Sequence, residues 1–195
     1  MRSDNLDPQR GFVHLHDTDA MDRVQAEFRG SYFRLYGSDD VVGVELCGAL
    51  KNVIAIAAGV VEGSGLGHNA LAALITRGLA EIARLTTAAG GRRETPSGLS
   101  GLGDLVLTCT GSLSRNRHVG IELARGRHLN EIVAGMKMVA EGVRTTGAAL
   151  ALGTRHGIEL PIATQMAAVL DGSIDVRTGL ESLMLRRQRS ETETT

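Results

Sequence analysis

The pattern of apolar and polar positions changes character near residue 45. Before it, Gly11 to His16 reads as a short strand, and Asp17 or Thr18 can cap a helix running to about Arg29, with Ala20, Val24 and Phe28 at helical spacing. Ser31 to Tyr36 reads as a second strand, closed by a Gly-Ser-Asp-Asp turn. Strand, helix, strand is a unit of an α/β sheet. Two strands are marginal alone and expose pairing edges, so the remainder of such a sheet is expected to be missing from this sequence.

After Glu45 every strong segment is helical. Residues 43 to 63 form one apolar run in which only Lys51 and Asn52 carry polar side chains between Leu46 and Val61, so this helix is apolar around nearly its whole circumference and is expected to be buried. It reads as too short and too rich in small residues to span a bilayer. Asn69 is positioned to cap a next helix, with Leu71, Leu74, Ile75, Leu79 and Ile82 on one face and Arg77, Glu81 and Arg84 on the other, ended by Gly90 and Gly91. Further helices are predicted over 102–109, 114–125, 129–134, 140–156, 162–170 and 176–185, separated by Gly, Pro or Asp-Gly. The organisation predicted is a loosely ordered start (1–10), a strand-helix-strand unit (11–44), a helical domain (45–187) and a polar tail (188–195).

Composition agrees with close helix packing: 195 residues with 25 Gly, no Trp, two Tyr and three Phe. A formal net charge of -1 leaves no electrostatic footprint for nucleic acid. Cys47 and Cys109 sit in apolar runs and give neither a disulfide framework nor zinc spacing. No signal peptide is visible in the first twenty residues. A cytoplasmic protein without membrane insertion is the expectation.

Three polar clusters carry candidate chemistry. Lys51 has Gly48, Cys47, Ile54 and Ala55 at three and four positions along its helix, three of them small, which leaves open volume beside the ammonium. Burying that ammonium is costly unless a carboxylate or a ligand compensates, so Lys51 is either satisfied structurally or awaits a substrate. Asp104, in Gly-Leu-Gly-Asp-Leu, stands at a helix start whose glycines permit close approach; it is either an early-turn acid favoured by the dipole or a site residue. Ser112 or Ser114 as an N-cap, with Arg115 and Asn116 in the first turn, gathers a hydroxyl, an amide, a guanidinium and backbone N–H groups, which suits a phosphate; the alternative is an exposed capped helix start.

Other features carry less. Gly63-Ser-Gly-Leu-Gly67 follows a helix rather than a strand and has His68 where a third glycine belongs, so it is not read as a dinucleotide loop. His14 and His16 share a strand face near Asp17 and Asp19, too few fixed ligands for a metal. His68, His118, His128 and His156 lie near helix ends, and Arg186, Arg187 and Arg189 close the last helix, where the dipole explains them.

Five blocks, in order, then point to a family: residues 43–59 (Gly-Val-Glu-Leu-Cys-Gly-Ala-Leu-Lys-Asn-Val-Ile-Ala-Ile-Ala-Ala-Gly), 73–81 (Ala-Leu-Ile-Thr-Arg-Gly-Leu-Ala-Glu), 101–110 (Gly-Leu-Gly-Asp-Leu-Val-Leu-Thr-Cys-Thr), 114–117 (Ser-Arg-Asn-Arg) and 139–142 (Val-Ala-Glu-Gly). Over about residues 30 to 187 the chain resembles the bacterial NAD(P)-dependent glycerol-3-phosphate dehydrogenases. The resemblance implies a mainly α fold, a helical substrate-binding domain of the 6-phosphogluconate dehydrogenase type, preceded by a remnant strand-helix-strand unit of a Rossmann domain. It implies interconversion of sn-glycerol 3-phosphate and dihydroxyacetone phosphate with NAD or NADP, at the head of glycerophospholipid synthesis.

Residue by residue, the resemblance places Lys51 at the catalytic proton acceptor and Asp104, Ser114, Arg115 and Asn116 at substrate contacts. It places Arg115, Val139 and Glu141 at cofactor contacts. The expected partner is a homo-oligomer or a companion cofactor domain. The departures are the lack of a Gly-rich loop in residues 1 to 44, the unusual Gly-Phe-Val-His-Leu-His, and Cys47 where glycine is usual. A rival reading is a non-catalytic helical interaction module; another is the helical domain of a related dehydrogenase with a different substrate.

Overall fold

Asp40 is where the chain passes from sheet to helix. In the computed structural model, which describes residues 9–136 and 140–186, its carboxylate accepts from Gly43 N (2.9 Å) through one oxygen, capping the next helix. The other oxygen accepts from Arg92 N (2.9 Å) and from the Thr95 hydroxyl. Burial pushes this carboxyl up, but the Thr95 hydroxyl and the two amides outweigh it and hold it below the usual carboxylate range. One acid thus ties together the first helical turn, the loop after the second long helix and the turn that follows.

Upstream of it lie β1 (Gln9–His14), α1 (Thr18–Glu27) and β2 (Phe33–Ser38), with β1 and β2 parallel, Gln9 opposite Phe33 and His14 opposite Ser38. The strand-helix-strand order is as predicted, but β1 lies two positions earlier and β2 two later. The side chain of Asp17 accepts from Ala20 N and fixes the helix start, leaving Leu15 and His16 as connection, and Gly30 N bonds Phe33 O in the turn before β2. β1 therefore takes in Gln9 and Arg10, assigned to the loosely ordered start; residues 1–8 and the tail 188–195 lie outside the described residues. No α1 residue is fully buried; Met21 faces Gly37 and Gln25 Nε2 bonds Leu35 O (3.1 Å).

The helical part is organised around α2 (Val41–Gly63), which begins inside the segment assigned to the strand unit because Asp40 caps it. Its 23 residues are long and apolar enough to cross a membrane, contrary to the sequence reading; what places it is packing, since most of its residues form the core. Around it pack α3 (Gly67–Ala88), α4 (Asp104–Thr110), α5 (Arg115–Ala124), α7 (Glu141–His156) and α8 (Pro161–Leu170); α6 (Leu129–Ala134) lies beside α5, and α9 (Val176–Met184) beside α8. Glycines set how closely α2 and α5 approach. A Cβ on Gly59 would lie 1.9 Å from Arg117 O, and one on Gly120 1.9 Å from Ile56 O. Asn52 meets Asn116 and Gly63 meets Ala124, so the two helices run in the same direction.

Two local expectations are corrected. Asn69 does not cap α3: the helix starts at Gly67 without a side-chain cap, because Gly65 and Gly67, both at positive φ (70° and 78°), turn the chain tightly from α2. The helix predicted over 102–109 is present but starts at Asp104 as α4, after a π-helical turn, Leu99–Gly103. Gly101 there presses on the Pro96 backbone, where a Cβ would meet the carbonyl at 2.1 Å.

Both cysteines are free and buried, and burial raises the thiol of Cys47 to about 11 and that of Cys109 to about 12. Glu81, placed on the polar face of α3 by the sequence pattern, is also buried. Its carboxylate accepts from Ile162 N (2.6 Å) and Ala163 N (3.4 Å), so it caps α8 from a distant helix. Burial pushes its carboxyl up to about 7, against the opposing pull of those amides, Arg84 and Arg186. An acid whose folded value exceeds its unfolded one favours folding most below the unfolded value and loses that contribution as pH rises through the folded one. Wild type is therefore expected to lose about 3 kcal/mol between pH 4.5 and 7 from this group. Glu81→Gln keeps an acceptor for Ile162 and carries no charge, so urea denaturation at pH 5 and pH 8 should show that slope flattened.

Candidate functional site

Lys51 lies midway along α2, and its Nζ donates to Asp104 Oδ2 at the start of α4. The ammonium that burial would penalise is thus compensated by a carboxylate. The pair is not sealed, since the two side chains remain 20% and 28% exposed. Of the small neighbours expected to leave room beside the amine, Cys47 and Ala55 are packed in the core; Gly48 alone faces open space. Thr108, one turn after Asp104, bonds Asp104 O (2.6 Å) and reaches its Oδ1 (3.4 Å), steadying the carboxylate opposite the lysine.

Of the two serines offered as cap, Ser114 is the N-cap of α5, and its Oγ accepts from Arg117 N (3.3 Å). Leu113 beside it is 95% exposed, so this helix start opens to solvent, with Arg115 exposed next to it. Asn116 turns inward. Its Nδ2 donates to Asn52 Oδ1 (2.9 Å) and its Oδ1 accepts from Gly142 N (2.9 Å). Asn52 is the residue after Lys51, so this bond joins the lysine helix to the turn bearing Ser114 and Arg115. Glu141 opens α7 with its Oε2 3.5 Å from Asn52 Nδ2. Val139 lies outside the described residues.

The remaining candidates are engaged elsewhere. His14 bonds Glu45 (2.7 Å), His16 lies past the end of β1, and no three metal-ligating side chains gather among the described residues. Gly63 to Gly67 is a helix-to-helix turn. Arg186 pairs with Glu159 (3.2 Å) rather than closing a helix, while Arg187 and Arg189 lie outside the described residues.

A family profile described as the NAD-dependent glycerol-3-phosphate dehydrogenase C-terminus matches residues 40–181. The chain belongs to the NAD-dependent glycerol-3-phosphate dehydrogenase family. Relatives named glycerol-3-phosphate dehydrogenase (NAD(P)+) include one from Koribacter versatilis, 58% identical over 186 residues, covering 95% of this chain and 55% of that protein. Another, from Acidobacterium capsulatum, is 60% identical over 169 residues, covering 86% of this chain and 50% of the relative. The crystal structure of glycerol-3-phosphate dehydrogenase from Coxiella burnetii superposes with a TM-score of 0.88 at 40% identity, over 93% of this chain and 56% of that one. The chain thus spans about half the length of these relatives.

Family membership bears out the resemblance drawn from the five blocks, and with it the mainly helical architecture preceded by a small parallel sheet. Among the described residues, the start of α1 does not fit the pyrophosphate of a dinucleotide. The β1-to-α1 connection carries Leu-His-Asp rather than glycines, and the Asp17 carboxylate takes the Ala20 N–H at the helix start, with the same sign of charge as a phosphate. Two residues of this polar cluster escaped the sequence reading. Asn52 was visible as a polar side chain in an apolar helix, but its partners are remote in sequence. Thr108 gave no signal beyond standing four positions after Asp104.

Proposed function

We propose that this chain is the substrate half of a glycerol-3-phosphate dehydrogenase, interconverting sn-glycerol 3-phosphate and dihydroxyacetone phosphate. The observation that carries the reading is the Lys51–Asp104 pair, open to solvent and joined through Asn52 and Asn116 to the Ser114 helix start. In the oxidation, the amine of Lys51 takes the proton of the secondary hydroxyl as its C–H hydride leaves, and Asp104 orients that amine. The phosphate sits at the start of α5, beside the Ser114 cap and within reach of the exposed Arg115 side chain; Asn116 holds that turn in place. Fixing the phosphate fixes the carbinol carbon beside Lys51.

The hydride goes to NAD or NADP, whose phosphates need residues outside this chain; Arg115, Val139 and Glu141 would meet the cofactor from the substrate side. Among the described residues no further strand pairs with β1 or β2, and these edges, with Phe28 and Tyr32 exposed nearby, favour a companion dinucleotide-binding domain as the partner. Two free, deeply buried thiols suit a reducing, cytoplasmic setting. The test is a steady-state assay with glycerol 3-phosphate and NAD or NADP. The chain alone should turn over feebly or not at all, and adding a dinucleotide-binding domain of the family, fused or in trans, should restore turnover. Ordinary turnover by the chain alone would contradict the proposal that the cofactor half is supplied from outside.

A further inference from the structure

Asn52 and Asn116 are each only 7% exposed, and the direction of every hydrogen bond around them is fixed. Gly142 N can only donate, so Asn116 must turn Oδ1 toward it. That aims Asn116 Nδ2 at Asn52, which must answer with Oδ1, and so Asn52 Nδ2 faces Glu141 Oε2 (3.5 Å) and Gly48 O (3.4 Å). The path leaves α7 at one residue and returns at the preceding one, forming a closed ring of contacts through α2 and α5. Only glycine admits it: a Cβ on Gly142 would lie 2.6 Å from Asn52 O and 2.8 Å from Asn116 Oδ1.

We propose that Asn52 is a positioning residue: through Asn116 on one side and Glu141 on the other, it sets the first turn of α7 against Lys51 and the Ser114 helix start. The carboxylate placed on the cofactor side and the pocket for the phosphate are then held as one unit. What is coupled rests on the functional reading above, whereas the ring itself does not.

Two measurements on the purified chain test this: hydrogen exchange of the Gly142 amide by NMR, with Leu85 in the α3 core as reference, and calorimetric titration with glycerol 3-phosphate. Asn52→Leu, similar in volume but unable to hydrogen-bond, should speed Gly142 exchange and weaken glycerol 3-phosphate binding each by about tenfold, with Leu85 little changed. Because Asn52 acts through Asn116, Asn52→Leu with Asn116→Ala should bind no more weakly than Asn116→Ala alone. Asn52→Asp sets a carboxylate against Glu141 and should speed exchange too. Adding Glu141→Gln supplies an N–H donor to that carboxylate and should restore slow exchange, a rescue that a merely space-filling role does not produce. Unchanged Gly142 exchange in Asn52→Leu, or additive losses of affinity in the double variant, would overturn the inference. If the wild-type chain does not bind glycerol 3-phosphate, the functional reading fails, and the exchange results still decide the positioning role.

Discussion

Replacing Gly120 by alanine is expected to cost about 3 kcal/mol or more, enough to unfold much of a marginally stable chain. The added methyl would sit 1.9 Å from Ile56 O and 2.7 Å from Val60 N, both on the backbone of α2, which no rotamer change can move. Relief requires α5 to back away from α2, and that opens the core around Val53, Ile56 and Val119. Gly147→Ala is the matching control. This glycine lies within α7 with nothing near its would-be Cβ, so alanine there should stabilise by about 0.5 to 1 kcal/mol through helix propensity alone. Urea denaturation of both variants checks the pair. Near-equal stabilities would mean that α2 and α5 are not in backbone contact.

Lys51→Met should lower turnover by about 10²- to 10⁴-fold when the chain is supplied with a dinucleotide-binding domain, the range general acid–base groups contribute. KM for glycerol 3-phosphate should change far less, because in the proposed site the phosphate is held at the Ser114 end and not by the amine. Methionine keeps the length of the side chain and strands only the part-exposed Asp104 carboxylate, so folding should survive. Steady-state kinetics separates the two effects. A variant that loses KM alone would make Lys51 a binding group and reassign the proton transfer.

What the chain shows before folding, and what it hides, divides along physical lines. The helices whose apolar faces repeat at three and four positions were legible, and so was Ser114, since an N-cap is a local device. Lys51 was legible because a cation in an apolar helix demands a partner, and Asp104 supplied it. Asn116 was read as facing an anion; its side chain is also engaged by Asn52 and Gly142, partners brought near only by the packing of α2, α5 and α7. Glu81 followed the polar face of α3 and still ended buried, because α8 presents bare N–H groups where that face meets it. The π-helical turn before Asp104 was hidden for the same reason: Gly101 is pinned by the Pro96 backbone rather than by its own propensity.

In the proposed site, a carbinol-facing amine is joined to a phosphate-holding helix start. Calorimetric titration of the purified chain with glycerol 3-phosphate, beside glycerol and inorganic phosphate, tests it most directly. Glycerol 3-phosphate should bind measurably, inorganic phosphate more weakly and glycerol not at all. Equal responses to glycerol and glycerol 3-phosphate, or none to either, would contradict it.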